Sequence, residues 1–378
     1  MTPNPIVPNS IKALLAGAVF GLSASAIAQT YTTEHHSFQL ETVVSGLSNP
    51  WSLAFLPNDE ILITERPGRL RRMVEGSLID EPVSGLPEIT ASGQGGLLDV
   101  VPHPDFAQNR WVYFSYSHGN NQGLTTRLAR GQYHDGHLSN VEILFDAAPR
   151  VSGGRHFGSR IVFDDDGYLY LTVGDRGQQN RAQELNNHIG TTIRLHDDGQ
   201  VPSDNPFVDH ANALPEIYTY GNRNAQGMVL HPSSRAVWQH EHGPRGGDEI
   251  NLIQSGLNYG WPEVTHGINY NGSPITDLTE KAGMESPLLH WTPSIAPSGM
   301  AFYTGDVFPQ WEGDLFVGAL AGQKIQRVRF NGTDLISQED MLTGFNTRIR
   351  DIRNGPDGTL WLLTDEGNGR LLRMVPAP

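Results

Sequence analysis

The sequence predicts an all-β protein, and within that class a six-bladed β-propeller, from three observations. One hairpin pattern occurs six times along the 378 residues: an apolar strand, a turn of Asp, Asn, Pro or Gly, and a second apolar strand. The chain contains 42 Gly and 25 Pro, as expected for many short strands and tight turns. The copies are roughly evenly spaced, which is typical of propeller blades of four strands each. A β-sandwich with repeated hairpins is the alternative, and the turn pattern shared by all copies favours the propeller.

Each blade is predicted from one copy of the hairpin. The six copies lie at 53–65, 97–116, 159–174, 227–240, 299–320 and 349–364. Between copies, segments such as 69–73 and 324–330 are expected to be outer strands. The strand at 38–44 has no hairpin partner of its own in the sequence pattern. We therefore expect it to complete the last blade beside 371–375 and so close the ring.

The N-terminus has the pattern of a secretory signal peptide. Lys12 provides a short positive region, residues 14–22 an apolar core, and Ala26-Ile27-Ala28 a small-x-small cleavage pattern. The apolar stretch is too short for a transmembrane helix, so we expect no membrane insertion. These features predict a signal peptide over 1–28, a propeller catalytic domain over 29–378, and a periplasmic protein.

Composition narrows the classes of partner. The formal net charge of −15 argues against nucleic acid, because little positive charge is available to neutralise phosphates. The same charge is compatible with calcium binding and a neutral substrate. The sequence contains no cysteine, so an exported domain must be stabilised by its core or by bound ions instead of disulfides.

The hairpin pattern also predicts which residues share one mouth of the central channel. The residue before the first strand of a hairpin and the residue after its second strand lie at the same end. Polar residues at these positions therefore converge on one concave site, the default binding site of such a fold. The residues that this rule places there are Gln94, His156, Asp175, Arg223, Asn224, 241–244, Pro297, Ser298, 319–321 and Arg348.

Two kinds of chemistry are suggested by the converging residues. His156 and Asp175 belong to the same blade, and a histidine held by a carboxylate is suited to act as a general base near neutral pH. Arg223, Arg348 and Arg350 point to an anionic ligand held by bidentate contacts. Either a polycarboxylate cofactor or a phosphate ester would fit, and surface salt bridges are the simpler alternative.

A turn-rich acidic segment is the candidate metal site. Gly243-Pro244 and the acidic run 246–249 combine free carbonyls with carboxylates, which is what calcium requires, although an ordinary Asp/Gly loop has the same composition. His240 and His242 could bind zinc in principle, but no third ligand is evident nearby in the sequence.

At this point the chain resembles the PQQ-dependent soluble glucose dehydrogenase and aldose sugar dehydrogenase family. The similarity stretches from Asn49 to Asp365, and its motifs are specific when taken together. They are "NPWSLAFLPNDEILITERPGRLRRM", "GQGGLLDVVPHPDF", "VGDRG", "YGNRNAQGMVLHP", "EHGPRGGDEINLI", "NYGWP", "PSGMAFYTGDVFP" and "RIRDIRNGPDGTLWLLTD".

The resemblance implies pyrroloquinoline quinone (PQQ) and Ca²⁺ as cofactors and an aldose sugar as substrate. His156 would take the proton of the anomeric hydroxyl, Asp175 would orient His156, and Arg223 would polarise the quinone oxygen. The implied cofactor-binding residues are Gln94, which would also touch the substrate, Arg223, Asn224, Ala319, Leu320, Ala321, Arg348, Ile349 and Arg350. The implied calcium ligands are the carbonyls of Gly243 and Pro244 at the cofactor, and Glu249 and the carbonyl of Tyr259 at a second, structural site.

One position departs from the family pattern. Glucose dehydrogenases have a cofactor-contacting lysine where this chain has Ala321, and Lys324 is the nearest lysine that could compensate. The resemblance also implies a periplasmic electron acceptor, either a cytochrome or a quinone, and we expect a monomer. Two alternatives are a calcium-dependent propeller lactonase, which would need several channel carboxylates, and a non-enzymatic propeller that binds a glycan or a protein.

Overall fold

The structure is a computed structural model that describes residues 1–2 and 29–378. The predicted signal peptide, with its cleavage position after Ala28, lies outside the described residues apart from its first two. In the described part of the chain, no helix has the length and apolar character needed to cross a membrane.

Six antiparallel sheets of four or five strands make up the fold, and the prediction of a six-bladed β-propeller is confirmed. Blade 1 contains β3 (Pro50–Phe55), β4 (Ile61–Glu65), β5 (Arg69–Val74) and β6 (Ser77–Leu78). Blade 2 contains β7 (Leu97–Pro102), β8 (Trp111–Asn120), β9 (Gly123–His134) and β10 (His137–Asp146). Blade 3 contains β11 (Ile161–Phe163), β12 (Leu169–Val173), β13 (Thr191–Leu195) and β14 (Ile217–Tyr220). Blade 4 contains β15 (Ala225–Leu230), β16 (Val237–Glu241), β17 (Asp248–Ile253) and β18 (Leu289–Trp291). Blade 5 contains β19 (Pro297–Phe302), β20 (Leu315–Ala319), β21 (Ile325–Asn331) and β22 (Asp334–Met341). Blade 6 contains β23 (Ile349–Asn354), β24 (Leu360–Thr364) and β25 (Gly369–Pro376), together with β2 (Ser37–Leu47) and β1 (Thr30–Thr32). The helical turns are α1 (Phe106–Asn109) and two short 3₁₀ segments, Gln179–Gln183 and Pro309–Trp311.

All six predicted hairpins occur as the first two strands of their blades. Ring closure is also as predicted, because β2 pairs with β25 from Phe38↔Pro376 to Leu47↔Gly369. The expectation that the closing strand lacks a hairpin partner is wrong: β1 pairs with β2, so that the last blade has five strands. The short segment at 30–32 has too few apolar residues to stand out as a strand in the sequence.

The first strand of each blade lies innermost, around the channel axis. Each of these strands contacts its neighbours in a closed ring of β3, β7, β11, β15, β19 and β23. The second and third strands carry runs of fully buried residues, such as Leu169–Val173 in β12. Apolar side chains fill the space between adjacent blades, as where Leu62 and Leu97 join one cluster. The second and third strands are thus largely buried on both faces, whereas the outer strands β10 and β22 are mostly exposed.

A buried ionic network crosses the channel axis. Asp99 of β7 accepts hydrogen bonds from Ser52 Oγ at 2.6 Å and from the guanidiniums of Arg160 at 3.1 Å and Arg353 at 3.2 Å. Asp351 pairs with the same two arginines, at 3.3 and 2.9 Å. Two cations and two anions balance here, which satisfies the requirement that buried charges be paired. The network links blades 1, 2, 3 and 6 and forms a polar floor between the two mouths of the channel.

Candidate active site at one channel mouth

A pocket of about 370 Å³ opens at the mouth where the inner strands begin. The polar and aromatic side chains that converge there come from loops and strand ends of different blades, as the hairpin rule predicts. The lining residues are Asn49, Trp51, Arg66, Gln94, Gln226, His242, Tyr270, Ala296, Leu320, Arg348, Arg350 and Asp365. Trp51 links the pocket to the ionic floor, because the guanidinium of Arg160 lies 4.4 Å from its ring centroid.

The predicted histidine–carboxylate pair is formed in the structure. His156 Nδ1 lies 2.6 Å from Asp175 Oδ1, so Nδ1 carries the proton and donates it to the carboxylate. Nε2 is thereby left as the acceptor on the other side of the ring. The side chain of His156 is 12% exposed and that of Asp175 is 1% exposed. Neither lines the pocket itself, and Gln94, which accepts from the N–H of His156, connects the pair to it.

The surroundings of this pair favour a neutral imidazole. Burial, followed by the charges of Arg223 and Arg155, lowers the pKa of His156 below its usual value, against the opposing hydrogen bond to Asp175. Burial alone would raise the pKa of Asp175. The hydrogen bond and charge of His156, the N–H of Gly177 and the charge of Arg223 outweigh burial and lower it. The pair is therefore a neutral histidine on an ionised carboxylate near pH 7, as a general base requires.

The loop that carries His156 is held in an uncommon backbone conformation. His156 has φ +55°, in the left-handed region that a residue with a side chain seldom adopts. Its N–H donates to Gln94 Oε1 at 2.7 Å, and Gly154 accepts from the N–H of Gln94, also at 2.7 Å. Glycine is needed at this crossing, because a Cβ at Gly93 would lie 2.3 Å from the carbonyl oxygen of Gly154. Gln94 thus supports the loop of the predicted base and also lines the pocket.

Arg176 is hydrogen-bonded to the backbone of the same loop. Its guanidinium donates to the carbonyls of Gly153 at 2.7 Å and Arg155 at 3.0 Å, and lies 3.6 Å from the ring centroid of Phe157. Burial lowers the pKa of Arg176 to about 10, which still leaves it charged at neutral pH. Because Arg176 directly follows Asp175 in the chain, its hydrogen bonds also connect the segment that carries Asp175 to the loop that carries His156.

The pocket is positively charged in an acidic protein. Among the described residues that line it, Arg66, Arg348 and Arg350 are cations and Asp365 is the carboxylate. Asp365 Oδ2 accepts from Arg348 Nε at 2.9 Å and lies 3.1 Å from Arg350 Nη2. Arg350 also donates to Gln226 at 3.1 Å, while its buried Nε has no hydrogen-bond partner among the described residues. An excess of cations and an unused buried donor are what an anionic ligand requires.

Arg223 and Asn224 are buried and do not line the pocket itself. Arg223 Nη1 donates to the carbonyls of His242 at 3.0 Å and Gly243 at 3.2 Å. Asn224 Oδ1 accepts from the N–H of Gly158 at 3.0 Å. In this arrangement Arg223 is aimed at the predicted calcium loop, and Asn224 supports the loop of His156.

The predicted calcium loop is shaped by Asp248. Its carboxylate accepts hydrogen bonds from the N–H groups of Gly243, Ile295 and Ala296, at 2.8, 2.7 and 3.0 Å. Burial raises the pKa of Asp248 to about 6, although these bonds oppose the shift. The carboxylate of Asp248 is thus occupied by backbone N–H groups and by Ser294 Oγ. The oxygens of this turn that could bind a cation are the carbonyl of Gly243, which also accepts from Arg223, and the carbonyl of Pro244.

A pair of buried carboxylates lies beside the predicted structural calcium site. Glu241 and Glu249 are directly opposite each other on β16 and β17. Burial raises the pKa of Glu241 to about 7, and burial together with the charge of Glu241 raises that of Glu249 well above its usual value. Tyr259, whose hydroxyl donates to the carbonyl of Leu252 at 2.6 Å, has a buried side chain in the following loop. Within residues 29–378, no three His, Cys, Asp or Glu side chains group into a metal site, so carbonyl oxygens would have to complete the coordination.

The remaining predicted cofactor contacts differ in how they face the pocket. Leu320 lines it, and Ala319 and Ala321 flank Leu320 at the end of β20. Ile349 does not reach it: the side chain belongs to the core, and the carbonyl accepts from Ser298 Oγ at 2.6 Å. Lys324 does not compensate for Ala321, because Lys324 Nζ donates to Asp340 at 2.7 Å on the outer strand.

Sequence reasoning missed several pocket residues. Arg66 follows the second strand of blade 1 and Asp365 follows that of blade 6, so the hairpin rule places both at this mouth, as it places Arg348 before the first strand of blade 6. Asn49 precedes the first strand of blade 1, and the same rule applies to it. Trp51 and Gln226 lie within inner strands, and no sequence signal separates them from core positions.

Several known sugar dehydrogenases are similar to this chain over most of its length. A family model described as Glucose / Sorbosone dehydrogenase matches residues 47–373. Aldose sugar dehydrogenase YliI of Escherichia coli (strain K12) is 46% identical over 343 residues, covering 89% of this chain and 92% of that protein. Quinoprotein glucose dehydrogenase B of Acinetobacter calcoaceticus is 30% identical over 416 residues, covering 87% of this chain and 86% of that protein. The PQQ-bound form of aldose sugar dehydrogenase from Streptomyces coelicolor superposes with a TM-score of 0.74 at 28% identity, covering 89% of this chain and 98% of that chain.

Proposed function

The chain belongs to the Glucose / Sorbosone dehydrogenase family, and on that premise we propose that it oxidises aldose sugars at the anomeric carbon to the lactone, with PQQ and calcium as cofactors. Family membership supports sugar oxidation as the class of activity. The observation that carries the finer proposal is the joint presence, at one mouth, of a neutral histidine on a carboxylate and an arginine-rich pocket. The relatives' names include both a quinoprotein and a PQQ-bound enzyme.

The pocket fits a polycarboxylate such as PQQ. Arg348 and Arg350 would hold its carboxylates, since their shared partner Asp365 neutralises one of two charges and the buried Nε of Arg350 is left for a ligand. Arg66, which donates to the carbonyl of Gly93, adds a third cation at the rim. Arg223, Asn224, Gln94 and the 319–321 turn would surround the cofactor, with Arg223 nearest the quinone oxygen.

Calcium fits two places in blade 4. Carbonyl oxygens of Gly243 and Pro244 suit a hard cation at the cofactor. The carboxylate of Glu249 and the carbonyl of Tyr259 suit a second ion, because a cation there would neutralise the buried pair of Glu241 and Glu249. Removal of calcium is therefore expected to lower the melting temperature as well as activity.

The chain's own residues provide the acid–base part of the reaction. His156 Nε2 would accept the proton of the anomeric hydroxyl, and Asp175 would stabilise the imidazolium that forms. Loss of that proton makes the C–O bond a carbonyl as a hydride leaves the same carbon, which yields the lactone. PQQ, when bound, would supply the hydride acceptor, and calcium would supply Lewis-acid assistance. The arginines and Gln94 position the reactants and exclude water.

Reconstitution tests the proposal directly. The full chain is purified without PQQ, PQQ and calcium are added singly and together, and dye reduction is followed with glucose and other aldoses. Activity that depends on both additions is the expected result, with a bound-quinone absorbance that saturates. If PQQ does not bind, the proposal is wrong, and the lactonase and binding-propeller alternatives become the leading ones.

A pH profile is expected to report His156. Because its pKa lies below the usual 6.5, the base is deprotonated at neutral pH, so kcat/KM should rise with pH only below about 6.5 and be flat above it. The measurement is kcat/KM for glucose in the reconstituted enzyme from pH 4.5 to 8.5. An acid limb centred above pH 7 would contradict the assignment of a depressed pKa to this base.

We further propose export to the periplasm, with a cytochrome or quinone there as electron acceptor and a monomer as the working unit. The signal-like pattern at 1–28 supports export. Cell fractionation with N-terminal sequencing of the mature protein would test it, and a start at Gln29 is the expected result.

A further inference from the structure

Trp261 touches both parts of the site through different atoms. Its indole Nε1–H donates to Asp175 Oδ2 at 2.9 Å. The ring centroid lies 5.5 Å from the Arg223 guanidinium carbon. Trp261 is 6% exposed and belongs to the loop that follows β17, 86 residues from Asp175 in sequence. Neither the sugar chemistry nor the cofactor contacts proposed above use it.

The indole completes the hydrogen bonding of the Asp175 carboxylate. Oδ1 accepts from His156 Nδ1 at 2.6 Å and from the N–H of Gly177 at 2.7 Å, and Oδ2 accepts from Trp261. Donors on both oxygens prevent the carboxylate from rotating about its χ2 bond. Since the carboxylate sets the direction of the Nδ1–H bond, it also sets the direction of Nε2 on the far side of the imidazole ring.

The backbone of Trp261 is itself fixed to the rest of the site. Its N–H donates to the carbonyl of Gly221 at 2.8 Å, and its carbonyl accepts from Gln183 Nε2 at 2.8 Å. Gly221 lies two residues before Arg223, and Gln183 ends the 3₁₀ segment after Asp175. The backbone of Trp261 is thus hydrogen-bonded to the two segments that carry Arg223 and Asp175, the same residues that its indole contacts. These bonds fix the position of the indole relative to both side chains.

We propose that Trp261 is a positioning residue: its N–H fixes the Asp175 carboxylate, and its ring packs against Arg223, so that the base and the cation hold a constant relative position. The catalytic consequence rests on the proposed function, but the effect on His156 does not. Removing the indole N–H takes away one of the hydrogen bonds that stabilise the negative charge of Asp175, so that this charge interacts more strongly with the imidazole. The His156 pKa is then expected to rise, because an imidazolium is stabilised by a less solvated carboxylate.

Other charges near the pair must be considered in a pH argument. Arg223 and Arg155 face His156, and Arg176 and Glu241 interact with Asp175. All four remain in place in a Trp261→Phe variant, which keeps the aromatic packing and deletes the donor. A change in the pKa of His156 in that variant can therefore be assigned to the lost hydrogen bond.

The test is Trp261→Phe in the full-length protein, with the His156 pKa measured by NMR titration of labelled histidine without cofactor. We expect an upward shift of about half a pH unit, because the loss of the indole N–H lets the charge of Asp175 act more strongly on the imidazolium. In the reconstituted enzyme, kcat should fall about tenfold with sugar KM and PQQ affinity unchanged, and the acid limb should move up with the pKa.

Trp361→Phe is the matched control. Trp361 is 8% exposed and donates its indole N–H to Asp357 at 3.1 Å in blade 6, away from the pocket. It should lose similar stability and leave the His156 pKa unchanged. If Trp261→Phe does not fold, Gln183→Met loosens the Trp261 carbonyl and should shift the pKa in the same direction by less.

Two results separate the inference from the function. An unchanged His156 pKa in Trp261→Phe, or an equal shift in Trp361→Phe, would overturn the positioning role even if the protein is a sugar dehydrogenase. A shifted pKa in a protein that oxidises no sugar with PQQ would support the positioning role and overturn the proposed function.

Discussion

His156→Ala is expected to lose roughly two to four orders of magnitude in turnover while it still binds PQQ. The reason is that Nε2 of His156 is the acceptor for the hydroxyl proton, whereas the pocket cations that would hold the cofactor come from other blades. Stopped-flow reduction of the bound cofactor by glucose measures the chemical step, and fluorescence or absorbance titration measures PQQ binding.

His188→Ala is the matched control for this variant. His188 also forms a buried histidine–carboxylate pair in blade 3, with Nε2 2.8 Å from Glu216, but its Nδ1 accepts from the N–H of Ala148 at 2.8 Å, so neither ring nitrogen is free to accept a substrate proton. It should lose stability and keep its turnover per folded molecule. Near-normal turnover in His156→Ala would remove His156 from the role of base, and equal losses in both variants would mean that unfolding explains the effect.

Arg350→Met is expected to weaken PQQ binding by one to two orders of magnitude, with turnover at saturating PQQ close to that of the parent protein. The guanidinium is buried and offers its Nε to a ligand, and a hydrogen bond to a charged group contributes about 1.5–3 kcal/mol. Asp365 keeps Arg348 as its partner, so the substitution does not leave a buried carboxylate unpaired. The PQQ dissociation constant, measured by titration, checks this.

Two further arginine variants serve as comparisons for PQQ binding, one at the pocket and one at a distant surface. Arg348 has a side chain that is 43% exposed, so Arg348→Met should weaken PQQ binding in the same direction but less. Arg373→Met, in which the lost partners are Glu41 and Asp357 at the surface, should leave PQQ binding unchanged. A fall in turnover without a change in PQQ affinity for Arg350→Met would show that this arginine does not hold the cofactor.

Much of the site could be predicted because blade geometry is local. The position of His156 before one strand and of Asp175 after the next put both at one mouth, and the structure joins them at 2.6 Å. The same rule covers Arg66 and Asp365, each of which directly follows the second strand of its hairpin. The rule gives the end of the blade at which a residue lies; it says nothing about the direction of its side chain.

Long charged side chains show that the hairpin rule does not predict side-chain direction. Lys324 is three residues from the position where a cofactor lysine is expected, yet its ammonium group lies on Asp340. Arg223 was predicted to face an anionic ligand, and its guanidinium donates to the carbonyls of His242, which lines the pocket, and Gly243. Several rotatable bonds separate these charges from the backbone, so the partner that each one finds depends on neighbours brought in from distant sequence.

Strand alternation and turn chemistry act over a few residues, and a hairpin has a defined parity. The six blades, the closing strand and the mouth at which the polar residues meet can therefore be read from the amino-acid sequence. Other contacts arise only in the folded ring: Trp261 with Asp175, Arg348 and Arg350 with Asp365, and Asp99 and Asp351 with two arginines across the axis. These contacts join blades far apart in sequence, and they exist because ring closure brings six inner strands around one narrow channel.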